Sequence, residues 1–334
     1  MARSSGVLRR SVLDPIIGAA VYRRCALALP RSRADNTRWP WTDEHCPPPA
    51  AVPDGCATPR VSIVTPSFNQ GVFIEETIRS VLLQDYPNLE YLIVDGGSTD
   101  STLEVIKTYE PWIDYWVSER DRGQTHAINK GFARATGEIV AWLNSDDTYE
   151  PHAIRTVVRH MVSTGAVIVY GKCNLIDETG ACSGVVVPPP VNFESLLKFW
   201  SIDCSTPPQP AIFFRRNVLD EVGPLDETLR YVMDYDLWLR IARRYSFGYV
   251  DAVIGNCRMH SECKTVSEGS GFLPERYRVS LGYGRGHGLR YHLPYWKSYA
   301  HYRFLVCRSR IWSLIRRHPS LKPFEHLLLT LYRR

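Results

Sequence analysis

Glu138-Ile139-Val140-Ala141-Trp142-Leu143-Asn144-Ser145-Asp146-Asp147 is a β-branched and aromatic run that stops abruptly at clustered acids. Such a run reads as a buried strand ending in a polar loop. Ligands of open α/β sheets bind at the carboxyl ends of strands, so these carboxylates stand where chemistry is usually done. Hard divalent cations take oxygen ligands, and one held by one or two carboxylates completes its shell with substrate phosphates. An Asx turn in a surface loop is the plainer reading of two adjacent aspartates. The sequence on either side decides between the two.

Upstream, Val61-Ser62-Ile63-Val64 is a short buried strand ending at Thr65-Pro66, and Ile74, Ile78, Val81 and Leu82 then recur at helical spacing. Leu89-Glu90-Tyr91-Leu92-Ile93-Val94 forms a second strand, ending at Asp95-Gly96-Gly97. Ser101 and Glu104 have the spacing of a capping box that opens the next helix. Residues 112–118 are strand-like, and Ala127, Ile128, Gly131, Phe132 and Ala135 mark another helix leading into 138–143. Downstream, Pro151 suits the first position of a further helix carrying Ile154, Val157, Val158 and Met161 on one face. Beyond 165 the strands become shorter and mixed (166–170, 185–187, 211–214). Strands and helices alternating at these intervals predict an α/β fold, Rossmann-like, with a mostly parallel sheet flanked by helices. The second half is expected on the same sheet, as an acceptor-side region and not an independent domain.

Three domains of composition frame this pattern. Residues 1–59 are a basic, then Pro-rich, extension or wrapping arm; 60–270 are the catalytic-type α/β body, divided into 60–150 and 151–270; 271–334 are a helical basic tail. Net charge is +5, yet residues 1–40 hold eight Arg against two Asp, and 271–334 hold thirteen Lys or Arg against two Glu. The middle is therefore acidic, which suits a metal-dependent site between ends that favour an anionic surface. In the tail Phe304, Leu305, Val306, Ile311, Trp312, Leu314 and Ile315 interleave with Arg303, Arg308, Arg310, Arg316 and Arg317. That interleaving points to a membrane headgroup region and away from nucleic acid, although a helix packed on the body gives the same pattern. No apolar run reaches about 18 residues, so no transmembrane helix is expected. Nine cysteines without a CxxC pair fit reduced thiols in a cytoplasmic protein. Cys257-x-x-His260-x-x-Cys263 lacks a fourth ligand for structural zinc.

Three strand ends thus finish in polar or permissive residues: Thr65-Pro66-Ser67-Phe68-Asn69, Asp95-Gly96-Gly97-Ser98 and 144–147. Three on the carboxyl side of one βαβ array make a nucleotide cleft the leading expectation. Phe68 is placed to stack on a base, Asp95 to accept from a base or ribose, and Asp146 to hold a metal on a diphosphate. A packed loop aromatic and a helix-capping acid are the structural counterparts for Phe68 and Asp95.

With Val94-Asp95-Gly96-Gly97-Ser98-Thr99-Asp100, the segment 121–131 (Asp-Arg-Gly-Gln-Thr-His-Ala-Ile-Asn-Lys-Gly), the loop 144–147, Met233-Asp234-Tyr235-Asp236-Leu237-Trp238 and Arg258-Met259-His260, the chain resembles family 2 glycosyltransferases of the GT-A fold, of the bacterial surface-polysaccharide type. The resemblance covers about 61–265 and implies a nucleotide-diphosphate sugar donor, a UDP-sugar foremost, and a glycan or polyprenyl-linked acceptor. It also implies inversion, a divalent cation (Mn²⁺ or Mg²⁺), and a place at the cytoplasmic face of the membrane. By the same resemblance Pro66, Phe68, Asn69, Asp95, Gly123, Gln124, Asn144 and Asp146 bind the nucleotide sugar, Asp146 and His260 hold the metal with Asp147 in support, and Asp234 is the catalytic base. Two positions depart from the pattern: Asn144 replaces the first acid of the Asp-x-Asp motif, and Met233 replaces an acid before Asp234. Pro207-Pro208-Gln209-Pro210 is expected to shape the acceptor mouth, and Arg215 or Arg216 is a candidate for an acceptor phosphate, against a solvated basic pair at a helix start. A nucleotidyltransferase would need a glycine-rich phosphate loop after the first strand, where Thr65 to Gly71 offers one glycine. A non-catalytic nucleotide-sugar-binding member of an assembly complex is the alternative left open by the two departures.

Overall fold

The computed structural model describes residues 29–30, 38–42, 58–197, 206–264 and 272–284. The helices and strands, in chain order, are β1 (Val61–Ser67), α1 (Ile74–Leu82), β2 (Leu89–Asp95), α2 (Thr102–Tyr109), β3 (Tyr115–Ser118), α3 (Gln124–Arg134), β4 (Ile139–Trp142), β5 (Thr148–Tyr149) and α4 (Ala153–Thr164). They continue with β6 (Ile168–Ile176), β7 (Cys182–Val186), α5 (Phe193–Leu197), β8 (Ile212–Arg215), α6 (Val218–Val222), α7 (Met233–Ala242), β9 (Phe247–Arg258) and α8 (Phe272–Gly284).

One nine-stranded sheet runs β3-β2-β1-β4-β8-β6-β9-β5, with β7 added on β6. The pairs β1–β2, β1–β4 and β2–β3 are parallel, so three strand ends reach the same edge at Ser67, Asp95 and Trp142. Both faces of these strands are buried, which explains why their sequences read as continuous apolar runs and not as alternation. Val61, Ile63, Tyr91, Ile93, Ile139 and Ala141 face α1 and α2; Val64, Leu92, Val140 and Trp142 face α3 and α7. Gly131 lets α3 lie against β1, because a Cβ there would stand 2.3 Å from Val64 Cγ1.

Several local expectations change. Helix α2 has no Ser101 side-chain cap. Asp100 takes that place: its Oδ1 accepts from the Thr102 N–H at 3.0 Å, and its Oδ2 reaches the Gly71 N–H at 2.9 Å. Residues 110–112 form a 3₁₀ turn, and only Tyr115–Ser118 joins the sheet. Pro151 lies in a turn ahead of α4, which starts at Ala153 after His152 in the left-handed region (φ 62°). The longest strand, β9, has no expected counterpart. It pairs parallel with β6 across a register shift and antiparallel with β5, and so carries Cys257 and Arg258 back to the site edge.

The described part of the N-terminal arm sits on α1 and α2. Arg79, buried on α1, donates to the carbonyls of Pro30 (2.9 Å) and Pro40 (3.2 Å) and lies over the Trp41 ring. Trp39 Nε1 donates to the Tyr149 carbonyl at 2.8 Å. Among the described residues no helix is long and apolar enough to cross a membrane. The interleaved tail expected for membrane contact lies outside the described residues beyond 284.

Candidate active site

A cavity of about 1010 Å³ opens where the parallel strands end. Its walls include Pro66 at the end of β1 and Phe68 just after it, Gly123 and Gln124 at the start of α3, 144–147 after β4, Gln209 before β8, and Met233 and Asp234 at the start of α7. The sheet brings Pro66 and Lys264, 198 positions apart in the chain, into one cavity lining because β8 starts from this edge and β9 ends at it.

The loop after β4 is fixed by side chains on both sides. Asp147 is buried, and its Oδ1 accepts from the Arg258 N–H at 2.9 Å. Burial, reinforced by the neighbouring Asp146 charge, pushes its carboxyl well above the ordinary value. Asn144 is the centre of an amide chain: its Oδ1 accepts from Gln124 Nε2 at 2.7 Å, and its Nδ2 donates to Asp147 Oδ2 at 3.1 Å and Gln209 Oε1 at 3.2 Å. Gln209 Nε2 in turn donates to the Trp142 carbonyl at 2.7 Å, and Gln124 Oε1 accepts from Lys264 at 2.8 Å. Asn144 therefore both gives and takes hydrogen bonds, which a carboxylate cannot do.

Asp146 Oδ2 stands 3.0 Å from His260 Nε2. His260 is 5% exposed and packs against the Phe73 ring at 4.7 Å; it stands behind Asp146, which is in the cavity wall. Arg258 locks this pair in place. Its Nε donates to the Asp146 carbonyl (2.8 Å), its Nη1 to the Asp177 carbonyl (3.0 Å), and its Nη2 forms a buried ion pair with Glu76 of α1 (2.7 Å). One carboxylate and one imidazole meeting at the cavity wall fit a divalent cation that draws its remaining ligands from a diphosphate and water. Among the described residues no group of three or more His, Cys, Asp or Glu is gathered closely enough to hold a metal between them.

Asp234 occupies the first turn of α7, half-buried in the cavity wall, with its Oδ1 accepting from the Tyr235 N–H at 2.7 Å. Burial raises its carboxyl above the ordinary value, against the pull of that N–H and of the Arg276 and Lys264 charges. Helix α7 is registered on the sheet by Trp238, which stacks on Trp142 with ring centroids 5.4 Å apart and 16° between planes. The same contact links the 144–147 loop to the Asp234 helix. Met233 is buried in the core beneath α7, and no acid stands in its place.

Other expected residues fall differently. Phe68 is 59% exposed at the cavity, with its ring free for a planar ligand. Asp95 is fully buried and outside the cavity wall, where it accepts from the Gly97 and Ser98 N–H groups and from the Ser98 and Ser118 hydroxyls. It orders the loop that Gly96 presents to the cavity. Asn69, in the left-handed region, ties the same two loops through Ser98 and Thr99. Gly123, at φ 118°, starts α3 with its N–H on Asp121 Oδ1. Arg215 and Arg216 take the second of their two readings, a basic pair just ahead of a helix: β8 runs antiparallel to β4, so Arg215 pairs with Ile139 and exposed Arg216 reaches the Gly137 carbonyl through Nε, at the edge away from the cavity and before α6. Asp121, Gln209 and Arg258 lie in stretches that the sequence already marked, and their contacts are what the structure adds; Glu76, the partner of Arg258, is the addition that no local signal announced.

This is the layout of a GT-A-type fold, a parallel half joined to a mixed half on one sheet. The glycosyl transferase family 2 profile matches residues 62–223, and the chain belongs to that family. An uncharacterized glycosyltransferase of Rickettsia typhi is 32% identical over 61% of this chain; the chain spans 65% of that relative's length. The Escherichia coli UDP-Glc:alpha-D-GlcNAc-diphosphoundecaprenol beta-1,3-glucosyltransferase WfgD is 28% identical over 66% of this chain and 77% of its own. Two solved structures share the fold: S. aureus TarS 1-349 in complex with UDP-GlcNAc (TM-score 0.54, 18% identity, 66% of this chain and 64% of that one), and the mannosyltransferase PcManGT of Pyrobaculum calidifontis with GDP-Man and Mn²⁺ (0.52, 22%, 70% and 68%).

Proposed function

We propose that the chain transfers a sugar, with inversion, from a nucleoside diphosphate sugar to a hydroxyl of a glycan or lipid-linked glycan. The observation that carries this reading is that Asp234, with its carboxyl raised by burial, shares one cavity wall with Asp146, and a Trp142–Trp238 stack joins their supports. The donors named for TarS and PcManGT and the diphosphate-lipid substrate named for WfgD support the substrate classes.

Inversion needs a base on the face of the anomeric carbon opposite the leaving group. Asp234 takes the proton of the acceptor hydroxyl as its oxygen bonds to that carbon; the bond from carbon to the diphosphate oxygen breaks, and the electron pair leaves with the diphosphate. A carboxyl raised toward working pH is a better base for this than an ordinary one. Asp146 and His260 would hold the divalent cation, which when bound neutralises charge on the diphosphate. Phe68 offers its exposed ring to the base, and Gln124, whose Nε2 keeps one hydrogen beyond its bond to Asn144, offers it to a ribose or phosphate oxygen.

A screen of UDP- and GDP-sugars with Mn²⁺ or Mg²⁺, scored for the nucleoside diphosphate released, tests the reading. Release by the wild type and its loss in Asp234→Asn, with nucleotide binding kept, is the expected result. Binding without release under every condition would favour a non-catalytic nucleotide-sugar-binding protein.

A further inference from the structure

The residues just ahead of α7 are held from outside the body. Glu275 of α8 accepts from three consecutive backbone N–H groups: Arg230 at 3.1 Å, Tyr231 at 2.7 Å and Val232 at 3.1 Å. Val232 is the boundary residue of α7 and makes no side-chain cap hydrogen bond. The Glu275 side chain is only 13% exposed, which strengthens each charge-assisted bond relative to one in water.

The same helix meets the next residues in turn. The Arg276 guanidinium lies 4.7 Å from the Tyr235 ring centroid, and the Tyr283 hydroxyl donates to Asp236 Oδ1 at 2.9 Å. Asp236 is shared with Arg240 one turn on, through Nε at 2.8 Å. Residues 230 to 236 are thus gripped at five backbone or side-chain points by one helix from the C-terminal segment. Four of them, Arg230, Tyr231, Met233 and Asp234, line the cavity. Asp234 itself bonds the Tyr235 N–H, so its carboxylate follows the backbone that Glu275 fixes.

We infer that Glu275 is a positioning residue for the Asp234 carboxylate, and that α8 belongs to the active site and not to a detachable tail. The inference rests on the reading of Asp234 as the base. Removing the Glu275 carboxylate leaves three N–H groups seeking new acceptors, and the 230–234 backbone shifts to find them. A displacement near 1 Å in a reacting group costs on the order of 100-fold in rate. The residues proposed to meet the nucleotide, Phe68, Gly123, Gln124 and Asp146, come from elements that α8 does not touch in this way.

The test uses the full chain and whichever of UDP-glucose, UDP-GlcNAc and GDP-mannose the wild type turns over, with the matching nucleoside diphosphate for binding. Glu275→Ala is expected to lower kcat about 10- to 100-fold while nucleotide Kd and donor KM stay within about twofold. Glu275→Gln keeps one carbonyl acceptor with two lone pairs and is expected to recover part of the loss. A Glu275→Ala kcat within twofold of wild type overturns the inference, as does a fall in nucleotide binding parallel to kcat in both variants, which marks general loosening. Asp234→Asn run alongside separates the two readings: full activity there overturns the base assignment and this inference with it, whereas an inactive Asp234→Asn beside a fully active Glu275→Ala overturns the inference alone.

Discussion

The amide of Asn144 donates to the Asp147 carboxylate at 3.1 Å while its carbonyl accepts from Gln124 at 2.7 Å. Asn144→Asp, which would restore the acid of the family motif, is therefore expected to damage this chain. It removes the donor to Asp147 and Gln209 and sets two carboxylates against each other in a buried loop. An unmet buried partner costs about 1–3 kcal/mol, and the like-charge contact adds to it. At 2–3 kcal/mol, a domain of about 200 residues loses roughly 5–10 °C in Tm. Thermal melts and donor turnover check this; a variant as stable as wild type with raised turnover would show that Asn144 is a weakened ligand after all.

Arg258 holds the metal-side loop through the Asp146 carbonyl, the Asp147 carboxylate and Glu76. Arg258→Met leaves the Glu76 carboxylate facing a buried apolar side chain, at a cost of about 3–5 kcal/mol. The double variant Glu76→Gln, Arg258→Met is expected to regain part of that, since the stranded charge is gone. Urea unfolding of the two singles and the double measures the coupling; strict additivity would mean the ion pair contributes nothing as a pair.

Cation dependence is the outcome expected from the cation site proposed at Asp146 and His260. Chelation is expected to stop transfer, with Mn²⁺ restoring it better than Mg²⁺ because an imidazole suits the softer ion. His260→Ala is expected to raise the Mn²⁺ concentration for half-activation at least about tenfold, whether His260 ligates or orients Asp146. Direct Mn²⁺ titration of the nucleotide-bound protein gives the same comparison without turnover. Unchanged Mn²⁺ affinity in both Asp146→Ala and His260→Ala would move the cation elsewhere.

The parallel half of the fold was legible because each strand is a short apolar run ended by turn residues, and each helix between them has one apolar face. The resemblance supplied Asp146, His260 and Asp234, and the geometry gathers them at one edge. What local pattern could not show is long-range pairing. Strand β9 mixes Gly, Asp, Asn and Cys because half its partners are a bulged strand and a two-residue strand. Glu76 and Arg258 lie 182 positions apart, and nothing near either names the other. Arg215 and Arg216 stood between an acceptor phosphate and a basic pair at a helix start because strand direction is invisible in a four-residue run; the antiparallel course of β8 turns them away from the cavity. The capping box failed for a different reason: Asp100, one residue earlier, takes the first N–H of the helix, that of Thr102, with a charged acceptor.

Asp234 combines activity with a stability cost, and pH separates the two. Its folded carboxyl is raised above the ordinary value of about 3.9 by burial. A carboxylic acid raised on folding favours the folded state at low pH, where it is protonated in both states' preferred form. That favour is lost as pH climbs through the raised value, because the unfolded chain ionises more readily. Activity runs the other way: the base must be ionised, so kcat is expected to fall as pH drops through the same raised value, with an acid limb above the ordinary carboxylate range. Asp234→Asn keeps the acceptor for the Tyr235 N–H and removes the buried charge. It is therefore expected to melt no lower than wild type at pH 7 while losing about 10²- to 10⁴-fold in turnover. Melts of both proteins from pH 4 to 8, beside kcat over the same range, decide it. If Asp234→Asn were equally inactive but clearly less stable at neutral pH, the carboxylate would be acting as a structural anchor of α7 and the base would have to be sought elsewhere in the cavity.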